Sequence, residues 1–265
     1  MNVLRTVMNV LLAIVLIVSI VWSLTTWSAT TDEPPRQNST EARLHTYMIT
    51  LPHDQWKRDR FQQSMDSSGG YFDYKQWEGV IVRERPDILK WTIDNKLGHV
   101  TNEKLKGNIG SALAHITLWD FVARHNENDH FLIFEDNALV QKKSKQAIAD
   151  MMKVDYDMLY LRALRPRGRK TQIPGLLKST YEPEVKEPMP NVWLSSYLLK
   201  PSGARQLLEY FKEHNFDLST TIIDRAVSRA ILSDPSEKMK VFVVDHGEFF
   251  GHVETKGDTR RRENS

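Results

Sequence analysis

The chain reads as an α/β domain, a mixed sheet flanked by helices, set behind an N-terminal apolar span. Three observations predict this. Short apolar or alternating runs, of which Phe131-Leu132-Ile133-Phe134 is the plainest, recur between segments whose apolar residues repeat at helical spacing. The 265 residues, 40% hydrophobic and 26% charged, suffice for one soluble domain of ordinary size with appendages. Val7 to Leu24 is a run of about 18 residues broken only by Asn9, Ser19 and Trp22, long enough to cross a bilayer as a helix.

Composition excludes several function classes. A net charge of +2 is too small for a nucleic-acid surface, and the basic clusters are local, so no nucleic-acid partner is expected. With no cysteine there are no disulfides, zinc-thiolate sites or thiol nucleophiles. The apolar run is longer than that of a cleaved signal peptide, and Trp27 sits beside the best cleavage positions, which favours an uncleaved signal-anchor over residues 1–27. Arg5 on one side is balanced by Arg36 and Arg43 on the other, so charge leaves the orientation open. Residues 28–43 are polar and contain Pro and Thr, as in a flexible stem, and Asn38-Ser39-Thr40 is an N-glycosylation sequon. A used sequon puts residues 44–265 in the lumen of the endoplasmic reticulum or Golgi, as a single-pass type II protein. A chance match of so short a pattern is the alternative.

In chain order, Leu44 to Leu51 is the first predicted strand, and Pro52 and Asp54 open a helix from Gln55 to Met65 that carries Lys57, Arg58 and Arg60. A basic side chain there can reach a nucleotide phosphate, although solvated helix charges are commoner. Tyr74 to Val82 reads as a strand with Gly79 inside it, and Asp87 to Lys96 as a helix. Ile109, Ala112, Leu113, Ile116, Trp119 and Ala123 define the buried face of a helix over Asn108 to Asn126, with His115 near it. The strand around Phe131 follows, then a helix from Ser144 to Met152 and a strand from Tyr156 to Leu161. Arg162 to Pro190, rich in Pro, Gly and basic residues, reads as a long loop of the kind that serves as a lid or acceptor loop. Val192 to Leu199 is a strand, Pro201 starts a helix to Lys212, Thr220 to Leu232 is a helix bearing Asp224, and Lys240 to Asp245 is the last strand. His246, Glu248 and His252 fall in a tail.

The acidic turn Glu135-Asp136-Asn137 closes the buried strand at its C-terminal end, the edge at which open α/β sheets bind ligands. Hard oxygen ligands there suit Mg²⁺ or Mn²⁺, which can bridge nucleotide phosphates. An N-cap cluster for a following helix gives the same pattern. No Gly-rich phosphate loop of the Walker or dinucleotide type is present.

With these segments placed, the order of motifs resembles glycosyltransferase family 25, which includes lipooligosaccharide and procollagen galactosyltransferases. Ile49-Thr50-Leu51-Pro52 with Arg60, and Trp77-Glu78-Gly79, are similar to the family's opening blocks. Ile109-Gly110-Ser111-Ala112-Leu113-Ala114-His115 and Phe134-Glu135-Asp136-Asn137-Ala138 match its most specific block in order and separation. Tyr156 to Leu161, Ser196-Tyr197-Leu198 and Gly203 to Leu208 follow the later ones. Asn108, Ser111, Ala114 and Asn137 stand where the family has Glu, Cys, Ser and Asp. The first three are helix positions open to repacking, whereas Asn137 removes a charge from the metal site the resemblance implies.

The resemblance implies a GT-A-like nucleotide-sugar-binding domain that transfers a hexose, galactose or glucose, from a nucleotide sugar such as a UDP-hexose to a hydroxyl of a glycan or protein, with inversion. It implies donor contacts at Thr50, Leu51, Arg60, Gly79, His115, Glu135 and Asp136. Mn²⁺ or Mg²⁺ would sit on Asp136 and Asn137, with His252 or His246 completing the shell from the tail, as a late histidine does in related folds. The general base is expected at Asp224, with Asp217 second, since a carboxylate on a late helix can take the acceptor's proton. Offsetting the helix dipole is the other reading of Asp224. The competing function is a non-catalytic lumenal binding or adhesion module that keeps the fold, a reading that Asn137 supports.

Overall fold

The computed structural model of the chain describes residues 42–69, 72–141, 144–163, 166–182, 191, 193–245 and 250–252. All of them lie in the compact unit Glu41–Ser265. The expected membrane anchor, most of the stem, the Asn38 sequon and His246 lie outside the described residues. Among the described residues, no helix is long and apolar enough to cross a membrane.

Among the described residues, eight strands form one mixed sheet. In chain order the strands are β1 (Leu44–Thr50), β2 (Lys75–Glu78), β3 (His130–Glu135), β4 (Ala138–Val140), β5 (Met158–Tyr160), β6 (Arg169–Lys170), β7 (Leu176–Lys178), β8 (Ser196–Leu199), β9 (Val241–Val244) and β10 (Phe250–His252). The main sheet runs β2-β1-β3-β8-β5-β9-β7-β6, while β10 and β4 form a separate antiparallel pair. The neighbours β2, β1 and β3 are parallel, and β8 runs against both β3 and β5.

Alternation along the strands divides the core in two. On β3, Phe131 and Ile133 belong to one buried cluster and Leu132 and Phe134 to the other, because successive side chains point to opposite faces. Helix α1 (Gln55–Ser68) covers the second face with Phe61 and Met65, four residues apart, and ends at Gly69 in the left-handed conformation that glycine adopts without strain. Helix α2 (Pro86–Asp94) starts on a proline whose fixed φ suits a first turn. Helix α4 (Ser144–Met151) places Ile148 on the α1 side.

The opposite face carries α3 (Lys106–Val122), α5 (Pro201–His214) and α6 (Ile223–Leu232). α3 buries residues on almost every side, among them Trp119 and His115 at 0% exposure. A Cβ at Gly110 would lie 2.3 Å from the Val80 carbonyl oxygen, so only glycine lets α3 approach the chain leaving β2 this closely.

Several expectations change. The second strand stops at Glu78, and Gly79 lies beyond it, donating its N–H to the Thr50 carbonyl at 2.8 Å. The segment after Arg162 is not wholly a loop: β6 and β7 extend the sheet edge through β9, strands of two and three residues being too short to leave a periodic signal. The tail contributes β10, paired to β4 with His252 opposite Ala138. Lys57 and Arg58 are buried at 3% and 8% exposure rather than solvated.

Candidate active site

The parallel register of β1 and β3 aligns Ile49 with Glu135, so the chain leaving each strand emerges side by side. The Asp136 N–H donates to the Ile49 carbonyl at 3.1 Å, and the Glu135 N–H to the Ser195 carbonyl at 2.9 Å. β8 is antiparallel to β3, which brings the residues preceding it, Trp193 to Ser195, to the same edge.

Two adjoining cavities open along this edge. One of about 160 Å³ is lined by Thr50, Leu51, His53, Lys57, Gly79 to Glu84, Lys106, Gly110 and Asp136, among others. The other, about 190 Å³, is lined by Asn108, Trp193, Ser195, Ile222, Ile223 and Asp224. Gly107, Ser111, Glu135 and Asn137 border both.

A buried polar chain supports Glu135. Trp119 Nε1, which can only donate, is 3.0 Å from the Tyr197 hydroxyl, so that oxygen accepts. The tyrosine proton is then directed to His115 Nδ1 at 2.9 Å, leaving His115 Nε2–H to face Glu135 Oε1 at 3.4 Å. Burial pushes the Tyr197 hydroxyl far above its ordinary range.

Asp224, in the first turn of α6, is partly buried, and its carboxyl is pushed up to about 7. Burial is the largest cause and the negative charge of Glu135 the second, with His115 and the Leu194 N–H opposing them. Asp217 is placed differently. It is absent from both cavity linings and accepts hydrogen bonds from Thr101, Ser219 and Thr220. Although desolvation opposes it, these donors hold the Asp217 carboxyl well below the usual range, which suits an anchor and not a base.

The basic residues of α1 do three different jobs. Lys57 Nζ lies 2.9 Å from Asp54 Oδ2 and 3.5 Å from Asp136 Oδ1. Arg58 donates to the carbonyls of Leu51 at 2.7 Å and Pro52 at 2.9 Å, fixing the turn after β1. Arg60 reaches the Asp136 carbonyl at 3.4 Å, through the turn's backbone, and is not among the residues lining either cavity.

The two residues expected to hold a metal, Asp136 and Asn137, have different surroundings. The Asp136 carboxylate is held by Lys57, whereas Asn137 Oδ1 is buried without a hydrogen-bond partner and Asn137 Nδ2 faces Glu135 Oε2 at 3.4 Å. Among the described residues, no three His, Asp or Glu side chains gather closely enough to hold an ion alone. Oxygens from Glu135 and Asn137 nevertheless fit a cation that draws its other ligands from phosphates and water, as Mg²⁺ usually does. The backbone of His252 lies opposite Ala138, one residue from Asn137.

Residues 43–224 match glycosyltransferase family 25, described as LPS biosynthesis protein. The chain belongs to this family. A Haemophilus influenzae protein provisionally named a glycosyltransferase is 27% identical over 188 residues, 67% of this chain and 61% of that protein. The chain thus spans about three fifths of that curated relative. The crystal structure of a glycosyltransferase involved in glycosylation of the major capsid of PBCV-1 aligns over 84% of this chain and 97% of that one, at 12% identity and a TM-score of 0.42. Of the four departures from the family pattern, Asn108, Ser111 and Ala114 border the cavities, as Asn137 does. Sequence reasoning missed Tyr197, Trp193 and Ser195 as site residues. All three lay inside the strand predicted from Val192 to Leu199, so nothing in their spacing pointed to the cleft.

Proposed function

We propose that the chain is an inverting, GT-A-like glycosyltransferase that moves a hexose, galactose or glucose, from a UDP-sugar to a hydroxyl of a glycan or protein acceptor. The observation that carries this reading is the pair of carboxylates on one cavity. Asp224 is tuned to about 7 by burial and by Glu135, which is the range a general base needs near neutrality.

On this reading the nucleotide occupies the cavity lined by Thr50, Leu51, Lys57, Gly79 and Lys106, with Lys106 supplying positive charge for the diphosphate, since Lys57 is engaged by Asp54 and Asp136. The acceptor oxygen approaches the anomeric carbon from the side of Asp224. Asp224 takes its proton as the new C–O bond forms, and the bond to the β-phosphate oxygen breaks with its electron pair on the diphosphate. Attack opposite the leaving group inverts the anomeric centre. The relay from Trp119 through Tyr197 and His115 keeps Glu135 in place. Glu135 and Asn137 would hold Mg²⁺ or Mn²⁺, which would act as a Lewis acid on the leaving diphosphate.

Turnover of a panel of UDP-hexoses by wild type and Asp224→Asn, with and without Mn²⁺, tests the reading. Wild type is expected to release UDP from at least one donor and the variant to lose about 10²- to 10⁴-fold in rate. No turnover by folded wild type on any donor would identify a binding module instead.

A further inference from the structure

The two cavities differ in chemistry. Lys57, Lys106, His53 and Arg83 line the first alongside Asp54, Glu84, Glu135 and Asp136, so it presents charges of both signs. Among the described residues no Lys, Arg or His lines the second, whose side chains are hydroxyls, amides, carboxylates, Ile222, Ile223 and the indole of Trp193. Glu135 and Asp224 repel anions there, while hydroxyls and amides match a ligand rich in neutral OH groups. Two further features point to a built site.

Trp193 sits at φ 103°, a conformation that bulky side chains rarely adopt and that clusters where function demands it. Its indole is engaged by the Arg162 guanidinium, 5.1 Å from the ring centroid, from the chain just past β5. Ser195, two residues on, belongs to the cavity lining, and its Oγ is buried just behind the surface without a hydrogen-bond partner. A buried hydroxyl without a partner is costly unless something arrives to satisfy it. Ile222, 43% exposed, adds an apolar residue to the lining.

We propose that the cavity between Trp193 and Asp224 is an acceptor subsite for a neutral pyranoside, with the Trp193 indole as its platform and Ser195 as a hydroxyl partner. The inference deepens the transferase reading and rests on it. A sugar ring offers C–H groups to the indole and hydroxyls to Ser195 and Asn108, and its attacking OH meets Asp224. An extended peptide bearing a hydroxyl side chain brings no such ring.

Saturation-transfer NMR tests this on the full chain with methyl β-galactopyranoside and methyl β-glucopyranoside, the corresponding methyl uronides, and a hydroxylysine peptide as probes. Donor hydrolysis is followed on the same samples. Wild type is expected to bind at least one neutral glycoside, and the uronides about tenfold more weakly. Trp193→Phe, which keeps an aromatic ring on the same strained backbone, is expected to stay within about threefold of wild type, and Trp193→Ala to lose about tenfold or more. Intact donor hydrolysis without glycoside binding by wild type overturns the subsite alone, as does equal glycoside binding by Trp193→Ala or a peptide that binds in place of the glycosides. Glycoside binding that depends on Trp193, with no donor turnover, upholds the subsite and refutes the transferase reading instead.

Discussion

Asp224→Asn removes one ionisable proton with almost no change in shape, and its effect on stability can be worked out with its sign. In the folded chain the Asp224 carboxyl is pushed from 3.8 up to about 7 by burial and by Glu135. Between those two values the folded state holds a proton that the unfolded chain has released, so stability falls as pH rises through that window. Below about 4 both states are protonated and the loss vanishes; above about 7 it is complete. At about 1.4 kcal/mol per pKa unit the loss is at most about 4 kcal/mol, and sharing of charge with Glu135 reduces it. An asparagine cannot ionise. The variant is therefore expected to match wild type near pH 4 and to exceed it by roughly 2–4 kcal/mol near pH 8, while losing activity. Urea unfolding of both proteins at the two pH values measures it. Parallel pH dependences would show that Asp224 carries an ordinary carboxyl, and the general-base assignment would lose its physical basis.

Three further outcomes are expected. Wild-type kcat/KM should rise with pH to a plateau above about 7; Asn137→Asp, which adds a charge beside Glu135, should move that midpoint up by about one unit without metal and lower the Mn²⁺ needed for half-maximal rate. Identical profiles and titrations would remove Asn137 from the site. Asp217→Asn should cost about 1–2 kcal/mol in urea unfolding near neutral pH, because the bonds to Thr101, Ser219 and Thr220 weaken, and should leave the pH profile of activity unmoved. Its depressed carboxyl stabilises the fold above the ordinary Asp range, so this loss should shrink as the solution is acidified. Lys57→Met leaves Asp54 and Asp136 without their buried cation and should destabilise by about 3–5 kcal/mol, read from the urea midpoint.

The sequence by itself determined the α/β class, the order of its main elements and the place of the acidic turn, because these depend on local period. Phe131 to Phe134 reads as a buried strand, and Ile109 to Trp119 as a helix packed into the core. The motif order around His115 and Glu135 also carried the family. What a carboxylate does depends instead on neighbours distant in the chain, and only the tertiary structure supplies those. Asp136, Asp217 and Asp224 look alike in sequence. Folding pairs the first with Lys57, surrounds the second with hydroxyl donors, and buries the third against the charge of Glu135. The short strands β6 and β7 exist because β9 offers an edge, and β4 and β10 because the fold brings them together, so no local pattern announces them. Tyr197 shows the same division: its strand position follows from alternation, but its place between Trp119 and His115 follows from α3 crossing that face of the sheet.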